Sequence, residues 1–187
     1  FVTLAHRFGD NFALGANLKV LYGQRVSYPV EGDPTSYIEG FGTGYGLDVE
    51  TDYGNIRAIR EAVGPQIGIM LDANSGFSTE EAIRLGTRLE PLDILWLEEP
   101  VPPYDLEGYA RLSETLRIPI AGGESEFTRW GFRDLILRGK VSVIQPDITR
   151  CGGFTEGRKI AALASAHGVR IAPHTGASGA ISIAAAV

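Results

Sequence analysis

Asp72, Glu98 and Glu124 are three carboxylates spaced 26 residues apart, and each stands at or just beyond the end of a short apolar run: QIGIMLD (66–72), ILWLE (94–98) and IPIAG (118–122). One such interval is the length of a strand, a helix and their connections, so the spacing puts the acids on successive parallel strands. Where parallel strand ends converge on one face, three such acids share a small volume. They would repel one another and raise one another's pKa values unless a cation neutralised them. Hard oxygen ligands that leave room for waters and a substrate suit Mg²⁺. Taken singly, an acid after a strand is as often a helix cap or a solvated loop charge. The equal spacing, with Pro or Gly beside two of them (Glu98-Glu99-Pro100 and Gly122-Gly123-Glu124), favours a joint role. Asn74 is placed to reach the same site or simply to form the turn. Glu99 is an alternative ligand or a supporting partner, although the spacing selects Glu98.

Two more residues continue the series. Asp147 ends VSVIQPD (141–147), 23 residues after Glu124, and His174 follows VRIAP (169–173), a further 27 on. A buried Asp that accepts a hydrogen bond from His fixes the imidazole tautomer and raises its basicity, as a general base requires. A lone His at a strand end is more often structural, but an Asp on the neighbouring strand reverses that preference. His167, at the end of a helical pattern, and His6, outside the repeats, read as structural. Other chemistries are poorly served: Cys151 lacks a metal-ligand spacing partner, Gly152-Gly153 has no phosphate-loop frame, and Ser125 has no nucleophile-elbow pattern. Trp96 and Trp130 read as packing residues.

The elements that must position these side chains are legible from residue 44 onward as alternating strand and helix patterns. Between the strands the sequence predicts helices at 55–63, at 106–116 and at 129–137. Another begins at Ser78 with a capping-box glutamate at Glu81, and one carrying Ile160, Leu163 and Ala164 is closed by Gly168. The class is α/β with a parallel sheet, and periodicity alone leaves a barrel and an open doubly wound sheet both standing. The first 43 residues differ, with scattered glycines and no sustained helical period. Residues 1–24 read as pieces of a β-rich segment, residues 25–30 (RVSYPV) as a first barrel strand, and the boundary falls near residue 24.

The 187-residue chain carries a net charge of −6, which leaves a nucleic-acid or anionic-membrane role with little support. Its longest uncharged stretch, 171–187, contains Pro173, His174, Gly176 and Gly179, so no membrane span is expected. A single cysteine fits a reducing, cytoplasmic compartment. The chain starts at Phe1 and shows no charged segment followed by an apolar one of the signal-peptide kind.

The stretches LDAN (71–74), WLEEP (96–100), AGGE (121–124), QPDITRCGG (145–153) and APHTGASGA (172–180) together resemble the enolase superfamily, and within it the mandelate racemase-like (mandelate racemase/muconate lactonizing enzyme) group that includes many acid-sugar dehydratases. The resemblance covers about residues 44–187. It implies a TIM-type β/α barrel with one Mg²⁺ held by Asp72, Glu98 and Glu124, and with Asp147 and His174 as an acid/base dyad. The metal would bind the substrate carboxylate and stabilise the enolate formed when His174 removes the α-proton. In a dehydratase the β-hydroxyl then leaves, giving a 2-keto-3-deoxy acid. The expected substrate is a small sugar-acid carboxylate.

The chain also departs from that pattern. The group usually carries a Lys-x-Lys pair on the second barrel strand, whereas the lysines here are Lys19, Lys140 and Lys159, and residue 41 runs almost at once into GYGLD (44–48). A complete α/β barrel needs about 250 residues. The expectation is therefore a partial barrel (25–187) behind a remnant of an N-terminal α+β capping domain (1–24), from a truncated gene or a longer chain. The open sheet edges of such a barrel point to a homo-oligomer. Racemisation or epimerisation, cycloisomerisation, and a non-catalytic barrel remnant stand beside dehydration. Two-base racemisation needs a second base on the opposite face of the α-carbon, and this sequence offers one.

Overall fold

The computed structural model describes residues 2–7, 13–18, 26–30, 33–40, 49–175 and 184–185, with side chains from residue 52 onward. The chain opens with four strands, β1 (Val2–Arg7), β2 (Ala13–Leu18), β3 (Val26–Val30) and β4 (Asp33–Gly40). Helices and strands then alternate: α1 (Val49–Val63), β5 (Ile67–Asp72), α2 (Thr79–Leu89), β6 (Ile94–Glu98), α3 (Leu106–Thr115), β7 (Ile120–Gly122), α4 (Thr128–Leu137), β8 (Val143–Ile144), α5 (Gly153–Ala166) and β9 (Arg170–Ile171). One sheet runs in the order β2-β1-β5-β6-β7-β8-β9, parallel from β5 to β9. β1 lies antiparallel to both β2 and β5.

The run at 25–30 forms a strand, but not one of this sheet: β3 pairs antiparallel with β4 in a separate two-stranded sheet. Two residues separate β3 from β4, and so short a link makes a hairpin, whereas a parallel neighbour needs a crossover of a dozen residues or more. Residues 1–24, read as β-rich, contain β1 and β2.

β8 and β9 are shorter than the apolar runs that encode them because Pro146 and Pro173 donate no amide hydrogen to the ladder. Pairing nonetheless continues past them. Gln145 N–H donates to Gly122 O (2.9 Å), Ala172 N–H to Ile144 O (2.9 Å) and His174 N–H to Pro146 O (3.1 Å), and Asp147 bridges His174 in parallel register. The site residues beyond these strands therefore stay in sheet register. The core is built from Ile69, Leu97, Ile120 and Ile144 on the strands and Leu85, Leu89, Leu112, Phe132, Leu135 and Ile160 on the helices. Burying each such side chain contributes roughly 1.5–3 kcal/mol. Burial is less complete than the apolar runs imply, since Leu95 on β6 is 38% exposed. Trp130, expected to pack, is 56% exposed on α4, with the guanidinium groups of Arg129 and Arg133 over its ring.

Helix ends follow the local chemistry. Ser78 N–H donates to Glu81 Oε2 (3.0 Å) while Ser78 Oγ accepts from Glu81 N–H (3.4 Å), a complete capping box for α2. Gly168 (φ +68°) turns the chain out of α5. Among the described residues, no helix is long and apolar enough to cross a membrane.

Candidate active site

Asp72 and Glu98 are the last residues of adjacent parallel strands and pair in register. Glu124 follows β7 after Gly122-Gly123. Gly123 holds φ +115°, and a Cβ there would stand 2.8 Å from Phe132 Cε1, so only glycine lets the chain pass α4 and deliver Glu124. Asp147 and His174 follow the next two strands. The five side chains thus rise from the carboxyl ends of five consecutive parallel strands, the side on which α/β sheets bind ligands.

His174 lies between two carboxylates. Its Nδ1 is 2.9 Å from Asp147 Oδ2 and its Nε2 is 3.0 Å from Glu124 Oε2. The imidazole pKa is raised to about 9, chiefly by the hydrogen bond with Glu124 and then by that with Asp147, against the opposing effect of burial. Reciprocally, the His174 hydrogen bond holds the Glu124 carboxyl below its usual range, with help from Arg150. Arg150 Nη1 reaches both Glu124 O and Oε1 at 3.4 Å. Asp147 is 1% exposed. Burial alone would raise its pKa, but hydrogen bonds from Thr149 and His174 more than offset that and lower it.

Asp72 and Glu98 show the opposite tendency. Burial raises both, and the charge of Glu124 pushes each further in the same direction. Glu98 Oε2 accepts from Trp96 Nε1–H at 3.2 Å, and a Gln145 hydrogen bond also favours its charged form. Glu99, the next residue after Glu98, is buried beside this group. It is 4% exposed at φ +37°, its pKa is pushed up to about 7 by burial and then by the neighbouring carboxylates, and its Oε1 has no hydrogen-bond partner. Asn74 is exposed at φ +47°, and its backbone N–H donates to Asp72 Oδ1 (2.8 Å), the turn-forming arrangement.

The three carboxylates therefore sense one another without forming a closed cage. Among the described residues, no group of three or more His, Cys, Asp or Glu side chains is arranged to hold a metal ion as it stands. The cause is local, because Glu124 is drawn to the imidazolium and Arg150. The donor set itself suits a hard divalent cation: three carboxylates stand on adjacent strand ends, and burial and mutual repulsion raise the pKa values of two of them, Asp72 and Glu98.

Sequence reasoning missed Trp96, Gln145, Thr149 and Arg150. All four lie within WLEEP and QPDITRCGG, two or three residues from an acid already singled out, and that nearness was the available signal.

Residues 23–187 match the family described as enolase C-terminal domain-like. The chain is 48% identical over 142 residues to the D-galactarolactone cycloisomerase of Agrobacterium fabrum, covering 76% of this chain and 37% of that protein. It thus spans little more than a third of that relative's length. Among solved structures, the 3,6-anhydro-D-galactonate cycloisomerase of Zobellia galactanivorans superposes with a TM-score of 0.72 at 45% identity, covering 75% of this chain and 40% of that one. The L-talarate dehydratase of Polaromonas sp., solved with Mg and L-glucarate, superposes with a TM-score of 0.69 at 34% identity, covering 76% and 40%.

Proposed function

The chain belongs to the enolase C-terminal domain-like family, and from that premise we propose that it serves the Mg²⁺-dependent removal of the proton α to the carboxylate of a sugar acid, followed by loss of the β-hydroxyl. Asp72, Glu98 and Glu124 hold the ion in this reading. When bound, it supplies positive charge to the substrate carboxylate and to the enolate that forms.

The rest is proton handling by the chain. Glu124, turned toward Asp72 and Glu98, releases His174 Nε2, and the imidazole loses the partner that contributes most to its raised pKa. Asp147 keeps its hold on Nδ1–H, so the neutral ring presents Nε2 as the base. Nε2 takes the α-proton and the electron pair moves into the enolate. As that pair returns, the β carbon–oxygen bond breaks, and the same Nε2–H protonates the departing hydroxide to water. The enol left behind tautomerises to a 2-keto-3-deoxy acid. Asn74 and Glu99 support the site, through the Asp72 turn and through the charge of a neighbouring buried carboxyl respectively.

The observation that carries this reading is the pairing of His174 with Asp147 on one ring nitrogen and with a candidate metal carboxylate on the other. Incubation in D₂O with a panel of aldonates and aldarates and added Mg²⁺ tests it: deuterium at the α-carbon together with a 2-keto-3-deoxy product is expected. Exchange without loss of water argues against dehydration, and absence of both argues for a non-catalytic remnant.

A second reading, cycloisomerisation, draws support from the two cycloisomerases at 48% and 45% identity. It needs the same first step. Only the leaving group differs, since departure of a ring oxygen in place of hydroxide rearranges the substrate without releasing water. In either reading the boundary near residue 24 is kept as a proposal, with 25–187 as the barrel portion and 1–24 as the remnant of a cap, although β1 and β2 join the sheet of the parallel strands and β3 and β4 pair apart from it. The protein is proposed to work in the cytoplasm, where the buried free thiol of Cys151 stays reduced, and as a homo-oligomer.

A further inference from the structure

Asp147 is held from three sides. Its Oδ2 faces His174 Nδ1 at 2.9 Å, while its Oδ1 accepts from both Thr149 N–H (2.8 Å) and Thr149 Oγ1–H (2.5 Å). Its backbone carbonyl accepts from Arg150 N–H (3.0 Å) and Cys151 N–H (2.7 Å), which closes the chain into a tight turn. The torsion that sets a carboxylate plane is soft, with no sharp rotamer well to fix it. Burial alone does not orient the group, since an aspartate turned about that bond occupies much the same volume. Two donors on one oxygen do orient it, because they consume Oδ1 and leave Oδ2 as the acceptor for the imidazole. Thr149 itself is exposed, so its hydroxyl is dispensable for core packing.

We infer that Thr149 is a positioning residue, whose hydroxyl, through Asp147, sets the orientation of the His174 imidazole. The inference rests on the dyad reading above. It differs from a plain turn-forming role because Thr149→Val keeps the backbone N–H, the β-branched shape and the turn, and removes only the hydroxyl donor.

The test is made on the metal-free chain with ¹⁵N-labelled histidine at pH 6, below the raised His174 midpoint of the wild type. The readout is the solvent-exchange rate of the His174 Nδ1–H resonance, assigned by its loss in His174→Asn. In the wild type this proton is protected, and Asp147→Asn exposes it. Thr149→Val should speed its exchange at least about tenfold, the scale of a hydrogen bond to a charged acceptor, and Thr149→Ser should restore protection. Thr149→Ala gives the same comparison if the valine variant does not fold. A change under tenfold in the hydroxyl-free variant, or no restoration by serine, overturns the role of Thr149 while leaving the dyad intact. An unprotected wild-type proton, or one indifferent to Asp147→Asn, overturns the dyad reading and this inference with it.

Discussion

Replacing Glu124 with glutamine removes one negative charge 3.0 Å from His174 Nε2 and leaves the Asp147 contact in place. Two unit charges about 4 Å apart at an effective dielectric of about 20 interact by about 4 kcal/mol. The side chains are 17% and 24% exposed, so solvent screening reduces this to about 2 kcal/mol. At 1.36 kcal/mol per pH unit, the His174 midpoint should fall by about 1.5 pH units from its wild-type position near 9. The sign carries over to stability. A histidine raised above its ordinary 6.5 stabilises the fold fully below pH 6.5, and the contribution is lost as pH rises through about 9. For Glu124, lowered from 4.5, the contribution is present above that value and lost as pH falls through its depressed pKa. Glu124→Gln should therefore be less stable than wild type between about pH 4.5 and 6.5, with the gap closing toward pH 9 and above. The assay is a ¹H–¹⁵N titration of labelled histidine in the metal-free protein, with urea unfolding at pH 6 and pH 9.5. A His174 midpoint within half a pH unit of wild type would refute the pairing of these two side chains.

Mg²⁺ binding should release a proton and tighten between pH 6 and 8.5, because Glu124 must leave the imidazolium to join Asp72 and Glu98; calorimetry in buffers of different ionisation enthalpy should show that release, and Glu124→Gln should weaken binding at least tenfold. Gly123→Ala should destabilise the fold by about 2 kcal/mol or more in urea unfolding, from strain at φ +115° and the 2.8 Å approach to Phe132. His174→Asn should lower turnover by about 10²–10⁴ with little change in substrate affinity, and Asp147→Asn should lower it less. Steady-state kinetics of the pair decides this, and a loss under tenfold in His174→Asn places the base elsewhere.

The alternating strands and helices from residue 49 onward were legible because each strand is a compact apolar run and each helix has readable end chemistry, as at Ser78 and Gly168. The acids were legible through their regular intervals, which the parallel register of β5 to β9 explains. The pairing of β3 with β4 was not, since a β-branched and aromatic run such as RVSYPV names a strand but not its neighbour. Nor was the engagement of Glu124 with His174. Spacing shows which residues share a face, whereas the direction in which a carboxylate turns depends on the nearest cation, here one supplied by a strand 50 residues away in the chain. Trp96 was misread because an indole in an apolar strand packs by default, and its N–H finds Glu98 only through the two-residue alternation that puts both side chains on one face.

The charge balance explains how one arrangement of these residues would serve both the metal-free protein and the proposed reaction. Asp72, Glu98, Glu99, Glu124 and Asp147 crowd the strand ends, with His174 and Arg150 as the cations that meet them. Without a bound cation the site limits its negative charge in two ways. Burial and mutual repulsion bias Asp72, Glu98 and Glu99 toward their protonated forms, and the proton on His174 is held by Glu124 and Asp147. The protons on Asp72 and Glu98, and the imidazolium at Glu124, stand where a divalent cation would act more effectively, so three of the carboxylates that burden the metal-free site are the ones proposed to bind the metal. Asp147 stands outside this exchange, because its ties to Thr149 and to Nδ1 do not depend on the state of Glu124. In the proposed reaction it would therefore keep the imidazole aimed while Nε2 changes from holding Glu124 to accepting a proton from carbon. A site that paired His174 with Glu124 alone would lose its base's orientation whenever the metal was bound, and the second carboxylate removes that conflict.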